Sequence, residues 1–138
     1  MSDDISTQGV EYDPFADEQE LSLVVPSTEP QREIWSSVQM SDKASCAFNE
    51  SITLEFDGRL NRQALFSALE YVIRRHDSLR TTFTPDGSSL CISDTVNLAI
   101  TEVSGDEEDY KLAVQKESDT AFDLENGPLI RFTLITTG

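Results

Sequence analysis

Residues 74–83, Arg-Arg-His-Asp-Ser-Leu-Arg-Thr-Thr-Phe, mark a junction between a helix and a strand. Upstream, the segment Asn61–Ile73 has the spacing of an amphipathic helix, and its apolar face is formed by Leu65, Phe66, Leu69, Val72 and Ile73. The arginines then fall in the last turn, where cations complement the negative end of the helix dipole. Downstream, Thr81–Phe83 favours a strand, and Pro-Asp-Gly at 85–87 favours a turn. Such a junction can build a functional site, or it can simply end a helix.

Further helices and strands are predicted on both sides of this junction. A helix capped by Ser27 or Thr28 should run to about Met40 and bury Ile34, Trp35 and Val38. The other predicted elements are strands over Leu21–Val25, Cys46–Phe56, Leu90–Ile92, Val96–Val103 and Leu129–Thr136, and a helix from Asp106 to about Thr120 opened by a capping box of Ser104 and Glu107. This order predicts an α/β fold, a two-layer sandwich with a mixed sheet.

The composition fits one acidic domain preceded by a leader. The chain has 138 residues, 38% hydrophobic content and a formal net charge of −16, which is compatible with a single packed core. Residues 1–20 hold seven Asp or Glu residues and no Lys or Arg, so they are predicted to be a flexible leader or linker, with a docking tail as the alternative. The domain itself is expected to span residues 21–138.

The charge and the apolar pattern also exclude several classes of function. An acidic chain lacks the clustered cations that bind nucleic acid or an anionic membrane surface. No stretch approaches the roughly 20 apolar residues that cross a bilayer, and the N-terminus does not have the pattern of a signal peptide. Cys46 and Cys91 are not arranged as a Cys-x-x-Cys pair, so they are expected to be reduced, buried thiols of a cytoplasmic protein, with a disulfide as the alternative.

Three segments carry a resemblance to the condensation domains of nonribosomal peptide synthetases. Residues 75–83 (RHDSLRTTF) resemble the signature Arg-His-Glu-x-Leu-Arg-Thr-x-Phe, with Asp77 in place of Glu. Residues 28–35 (TEPQREIW) are similar to the opening motif Ser-x-Ala-Gln-x-Arg-Leu-Trp, although Pro30 and Glu33 depart from it. Residues 121–131 (AFDLENGPLIR) resemble the segment Pro-Phe-Asp-Leu-x-x-Gly-Pro-Leu-x-Arg. The three segments occur in the family's order and cover about residues 21–138.

The resemblance implies a fold and a chemistry for the intact domain. The fold would be a chloramphenicol-acetyltransferase-like lobe, of which this chain would be the N-terminal, incomplete part. The chemistry would be amide-bond formation between an acyl or peptidyl donor and an aminoacyl acceptor. Both substrates would be thioesters on the phosphopantetheine of carrier proteins, and no other cofactor is expected. The family's catalytic motif, His-His-x-x-x-Asp-Gly, would follow residue 138, because the chain contains a single histidine.

Five residues are expected to support the site, and none is expected to catalyse. The resemblance implies that Arg80 pairs with the aspartate of the catalytic motif; a local ion pair with Asp77 or Glu70 is the alternative. Arg75 could likewise fix a carboxylate through a bidentate bond. The other three are His76, Trp35 and Gln31.

Each of these residues also has a purely structural interpretation. His76 is more simply a structural imidazole than a catalyst, and Trp35 is more simply a core aromatic whose indole N–H needs an acceptor than part of a tunnel wall. The acidic run at 106–109 suits a helix N-terminus without any metal, so no metal site is predicted.

Three classes of function remain open from the sequence. The first is an enzyme, with epimerisation, heterocyclisation or ester formation as variants on the same scaffold. The second is a docking or structural module that receives an upstream carrier protein. The third is a non-catalytic relative of the family.

The 138-residue polypeptide alone is expected to form no dipeptide. It holds no His-His pair, and a positioned proton acceptor is needed for attack of an amine on a thioester. Incubation with carrier-bound donor and acceptor thioesters, followed by mass spectrometry of the released products, checks this expectation. Dipeptide above the level of an enzyme-free control would contradict it.

Overall fold

The computed structural model describes residues 21–137 and has the predicted α/β composition. The strands are β1 (Leu21–Pro26), β2 (Thr81–Phe83), β3 (Ser89–Ser93), β4 (Ile100–Gly105) and β5 (Phe132–Thr137). The helices are α1 (Glu29–Val38), α2 (Asp42–Ser45), α3 (Arg62–Arg75) and α4 (Glu107–Asp119), with a 3₁₀ turn over Asp77–Arg80. The predicted leader, residues 1–20, lies outside the described residues.

Parallel and antiparallel pairing are divided between two sheets. In the first sheet β3 is central and pairs antiparallel with β1 and β2. In the second sheet β4 and β5 run parallel, with Ile100 opposite Phe132 and Gly105 opposite Thr137. Helix α4 connects this parallel pair and packs against β4 and β5, as a crossover between parallel strands requires.

Local capping explains where the two longer helices begin. Asn61 caps α3 as predicted, because its side-chain oxygen accepts a bond from the backbone N–H of Ala64 at 3.0 Å. The cap of α4 is Asp106 and not the predicted Ser104. Its carboxylate accepts from the N–H groups of Glu108 and Asp109, and Asp109 reciprocates by accepting from the N–H of Asp106. A capping box with two aspartates thus replaces the predicted Ser104–Glu107 pair.

The core is small within the described residues. The hydrophobic side chains that are buried there are Ile73, Phe83 and Cys91, from α3, β2 and β3. Leu65, Phe66 and Leu69 are half-buried, as the predicted face of α3 requires, but Val72 is 42% exposed and Ile34 of α1 is 37% exposed. Neither Cys46 nor Cys91 is part of a disulfide bond; Cys91 is buried and Cys46 is half-buried.

The predicted strand over Cys46–Phe56 is wrong. After α2, residues 46–61 form neither helix nor strand, and Ile52, Leu54 and Phe56 are largely exposed. The alternating sequence favours a strand, but a strand also needs a neighbour for its backbone groups, and no other described segment pairs with this one. The predicted strand Val96–Val103 begins only at Ile100 for the same reason, since β5 starts opposite that residue.

The turn between β2 and β3 is held by one carboxylate. Asp86 accepts bonds from the Ser88 N–H, the Ser88 hydroxyl and the Thr84 hydroxyl, at 3.0, 2.8 and 2.7 Å. These bonds, above all the one from the Ser88 N–H, lower the pKa of Asp86 to about 2 because they stabilise the ionised form. Gly87 follows with a φ of 68°, in the left-handed region that glycine adopts without strain.

Gly87→Ala is expected to destabilise the protein more than Gly58→Ala. Both glycines have positive φ, so an alanine costs about 1–2 kcal/mol of backbone strain at either position. Only at Gly87 would the new methyl group overlap a side chain, the indole of Trp35, while the space around Gly58 is open. Overpacking adds about 1–3 kcal/mol, and urea unfolding of the two variants measures the difference. If the two substitutions lower the free energy of unfolding equally, the overlap between the new methyl group and the Trp35 indole does not destabilise the protein.

Candidate functional site

The three motif segments meet around β2. The backbone N–H of Phe83, in the segment 75–83, donates to the carbonyl of Leu124, in the segment 121–131, at 2.7 Å. In chain order, 28–35 is the first segment, 75–83 the second and 121–131 the third. At Gly127 a Cβ atom would lie 2.8 Å from Cγ2 of Thr82, so the third segment passes directly over β2. Since β2 is an edge strand of its sheet, this segment covers the edge and supplies the acceptor for the Phe83 N–H.

The first segment reaches the same place through the turn after β2. The Trp35 indole lies against Gly87, and the hydroxyl of buried Ser27, just before this segment, donates to the Gly87 carbonyl at 2.6 Å. The Ser27 N–H also donates to the Ser88 carbonyl at 2.9 Å. The Nε1 atom of Trp35 is buried and has no acceptor among the described residues. Trp35 is therefore a packing residue of this turn.

Gln31 has a local role at the start of α1. Its Oε1 atom accepts a bond from the backbone N–H of Thr28 at 2.8 Å, which is the reciprocal bond of a capping box. This contact satisfies a donor just before the helix and fixes the angle at which the chain enters α1. The side chain of Gln31 thus positions α1, which carries Trp35.

Arg80 is the centre of the hydrogen-bond network at the end of α3. Its side chain is only 10% exposed. The guanidinium donates to the carbonyls of Ile73 and Arg74 at 3.2 and 3.5 Å and to the carbonyl of Ser93 at the end of β3. It also forms an ion pair with Asp77, which was the local alternative for this arginine. One planar cation therefore joins the last carbonyls of α3 to β3.

The structure does not bring Arg75 and His76 into this network. Both residues are exposed, shortly after the last buried position of α3. His76 contributes its backbone: its N–H donates to the carbonyls of Val72 and Ile73, and its carbonyl accepts from Leu79. The five predicted site residues therefore form two clusters, Trp35 with Gln31 on α1 and Arg80 at the end of α3, with Arg75 and His76 apart.

Arg131 is a second network centre, which the sequence reasoning named only as a motif position. Its guanidinium donates to the carbonyls of Glu117, Thr120 and Ala121 at 3.1, 2.8 and 3.1 Å, at the end of α4. It pairs with the Glu117 carboxylate at 2.9 Å and lies 4.0 Å from the centre of the Phe122 ring. The sequence did contain a signal for this role. Arg131 lies between a helix and a strand, as Arg80 does between α3 and β2, and an arginine in that position can bind helix-end carbonyls.

The third segment is further shaped by Asp123. Its carboxylate accepts from the side chain and backbone N–H of Asn126, at 2.8 and 3.1 Å, and from the N–H of Glu125 at 3.0 Å. These bonds, led by that from the Asn126 side chain, lower the pKa of Asp123. The Gly127 N–H also donates to the Asp123 carbonyl. The resulting turn presents the Leu124 carbonyl to β2.

Two classes of site are not found among residues 21–137. No group of three His, Cys, Asp or Glu side chains there has the arrangement of a metal site. No helix in this range is long and apolar enough to span a bilayer. What the arrangement provides is close contact between the motif segments around β2.

Known proteins place the chain in a family. The sequence model described as Condensation domain matches residues 22–138. Chondramide synthase cmdD of Chondromyces crocatus is 36% identical over 121 residues, which are 81% of this chain and 3% of that protein. Cyclosporin synthetase simA of Tolypocladium inflatum is 37% identical over 112 residues, 78% of this chain and 1% of that protein. Malpinin synthetase of Mortierella alpina is 32% identical over 125 residues, 82% and 2% respectively.

The chain therefore belongs to the condensation domain family, of which the resemblance was the first indication. A solved structure agrees on the fold: the starter condensation domain of rhizomide synthetase RzmA superposes with a TM-score of 0.60 at 21% identity, over 85% of this chain and 28% of that chain. The chain thus spans a small fraction of these relatives.

Arg80→Ala is expected to lower the free energy of unfolding by about 2–4 kcal/mol. The substitution removes the hydrogen bonds that a charged donor makes to the carbonyls of Ile73, Arg74 and Ser93, and each such bond is worth about 1.5–3 kcal/mol before relaxation. Arg75→Ala, close to it in sequence but exposed, should change stability by no more than about 0.5 kcal/mol. Chemical unfolding followed by circular dichroism compares the stabilities of the two variants. An Arg80→Ala protein as stable as Arg75→Ala would show that the hydrogen bonds of Arg80 do not stabilise the fold.

Proposed function

We propose that this chain is the N-terminal part of a condensation domain whose intact form joins two carrier-bound thioesters through an amide bond. The observation that carries the proposal is the meeting of all three motif segments at β2, in a chain that belongs to the family. Similarity of three short motifs in sequence does not by itself require that segments about 40 residues apart be in contact. Here segments 75–83 and 121–131 share a hydrogen bond, and Trp35 of segment 28–35 packs on Gly87 in the turn that follows β2.

The reaction assigned to the intact domain is an aminolysis. The acceptor amine attacks the thioester carbonyl of the donor, the C–N bond forms, and the C–S bond breaks as the donor carrier leaves with a thiol. The amine loses a proton, for which the His-His motif of the family would supply the acceptor. The residues of this chain take no proton in the proposal. Their part is to fix the position of the strand and helix ends on which the reactive groups are arranged.

Arg80 is the positioning residue with the clearest support. Its guanidinium is nearly buried and fastens the end of α3 to the end of β3 through the Ser93 carbonyl. A lysine at this position could not satisfy three carbonyls and a carboxylate from one planar group. Arg131 supports β5 in the same manner from the end of α4.

The proposed partners are peptidyl or acyl carrier proteins in a cytoplasmic synthetase. Their phosphopantetheine arm would bring each thioester to the domain, and the chain itself would bind no other cofactor. The net charge of −16 argues against a broad electrostatic attraction to an acidic carrier. Recognition would therefore depend on local contacts around the substrate path.

A chimera tests the proposed function. Residues 22–138 would replace the matching part of a condensation domain in chondramide synthase cmdD, with which this chain shares 36% identity. We expect the chimera to form the amide product from carrier-bound substrates, as measured by mass spectrometry of the carrier-bound product. Arg80→Ala in the chimera should reduce turnover by at least about tenfold, because displaced elements misplace the reacting groups.

Arg59→Ala is the matched control, since Arg59 is exposed and lies in the segment before α3. It should leave turnover within about twofold of the unmodified chimera. A chimera that unfolds as cooperatively as its parent and still produces no amide bond would contradict the proposal.

A further inference from the structure

We propose that Glu117 is a positioning residue, which fixes β5 against α4 by the reach of its side chain and not by its charge. The inference deepens the proposed function and rests on it, because it concerns how this chain would place the reacting groups of the amide-forming domain. The Glu117 carboxylate joins Arg131, which directly precedes β5, to Thr133 within the strand.

The two oxygens of the Glu117 carboxylate bind two different side chains. Oε2 accepts from Nε of Arg131 at 2.9 Å, and Oε1 accepts from the Thr133 hydroxyl at 2.7 Å. Arg131 and Thr133 are two residues apart, which is the period at which side chains of an extended chain share one face. A carboxylate that binds both therefore fixes the position of β5 along α4 as well as its distance from α4.

The last turn of α4 is itself held from a second direction. The Thr120 carbonyl accepts from the Arg131 guanidinium at 2.8 Å and from the Asn49 side chain, in the segment after α2, at 2.9 Å. The side chains of Glu117 and Arg131 are 34% and 26% exposed, so their ion pair is screened less than a fully exposed one. The end of α4 can therefore serve as a fixed support for β5.

The position of β5 matters because β4 and β5 are parallel and are connected through α4. In open α/β sheets, ligands bind beyond the carboxyl ends of the strands. Thr133 lies opposite Thr101 near the start of β5, so Glu117 holds the strand at the end away from that edge. A strand displaced at its start would carry its carboxyl end out of place, and a misplacement of about 1 Å can cost about 100-fold in rate.

Reach and charge predict opposite results for the two conservative substitutions of Glu117. Glutamine has the length of glutamate: its carbonyl oxygen can accept from Arg131, and its amide N–H can donate to the Thr133 hydroxyl oxygen. Aspartate keeps the charge but is shorter by one carbon–carbon bond of about 1.5 Å, so it cannot stay within bonding distance of both side chains. A positioning role therefore tolerates glutamine better than aspartate.

Turnover of the chimera that carries residues 22–138 tests this role. Glu117→Gln should keep kcat for amide formation within about threefold of the unmodified chimera. Glu117→Asp should lower kcat at least about tenfold while KM changes less than about twofold, because the loss lies in the placement of bound substrates. Each variant is assayed at a temperature at which circular dichroism shows it folded, so that unfolding does not contribute.

Glu107→Asp is the matched control for the shortened side chain. Glu107 lies on the same helix, its side chain is 81% exposed, and it pairs with Lys111 of α4 itself. Shortening it leaves the contact between α4 and β5 unchanged, so kcat should stay within about twofold.

A double-mutant cycle shows whether Glu117 acts through Thr133. Thr133→Val should lower kcat at least about fivefold in the unmodified chimera but less than about twofold in the Glu117→Asp chimera, since the contact is already lost there. Thr133→Ser keeps the hydroxyl and should match the unmodified chimera. Additive effects of the two substitutions would show that the residues act independently, and would overturn the proposal.

Hydrogen exchange of the full 138-residue protein tests the placement of β5 without any reaction. Glu117→Asp should raise the exchange rates of β5 amides at least about fivefold, Glu117→Gln less than about twofold, and neither should change β3. If the chimera forms no amide bond, the proposed function is contradicted, and exchange then decides the role of Glu117. The role is overturned if aspartate preserves β5 as well as glutamine does, or better, because charge would then be the property that matters.

Discussion

The arrangement of this lobe depends on how the end of α3 is closed. Helix ends leave carbonyls without the usual intrahelical partner, and at the end of α3 such carbonyls are bridged to the end of β3. Arg80 solves this by supplying several donors from one plane, to Ile73, Arg74 and the Ser93 carbonyl. The same solution recurs at α4, where Arg131 binds three helix-end carbonyls and pairs with Glu117. Two helix-to-strand junctions are thus closed by arginines, each belonging to a motif of the family.

Side-chain hydrogen bonds are important for joining the helices and strands because few hydrophobic side chains are buried among the described residues. Within residues 21–137 the buried hydrophobic side chains come from three positions, Ile73, Phe83 and Cys91. Fully burying such side chains contributes about 1.5–3 kcal/mol each, which is small beside the conformational entropy of ordering more than a hundred residues. The matched condensation domain is more than three times as long, at 28% coverage, so its core draws on more chain than is present here. Directional bonds then decide which elements meet.

The sequence was a good guide where a structural feature is local. The spacing of apolar residues predicted α3, Asn61 predicted its cap, and Pro-Asp-Gly predicted the turn after β2. It failed where a second segment decides the outcome. Residues 46–56 have the alternation of a strand and remain unpaired, and Val72 has helical spacing but faces solvent. The site divides in the same way: Trp35 and Arg80 stood out by type and motif, whereas Arg131 was named only as a motif position and its bonds to α4 come from the structure.

The bonds of Arg80 also constrain the expectation that it pairs with an aspartate of the catalytic motif. A guanidinium has five N–H donors, and four acceptors already use it: Ile73, Arg74, Ser93 and Asp77. A bidentate carboxylate needs two donors, so a second aspartate requires one present partner to yield. The Arg74 carbonyl is the most distant, at 3.5 Å, and Asp77 is the most exposed, at 68%, so these two are held least firmly. The bonds to Ile73 and Ser93 would persist in either state. Arg80 therefore joins α3 to β3 through Ile73 and Ser93, and its pairing with a second carboxylate stays a prediction that concerns the outer edge of the guanidinium.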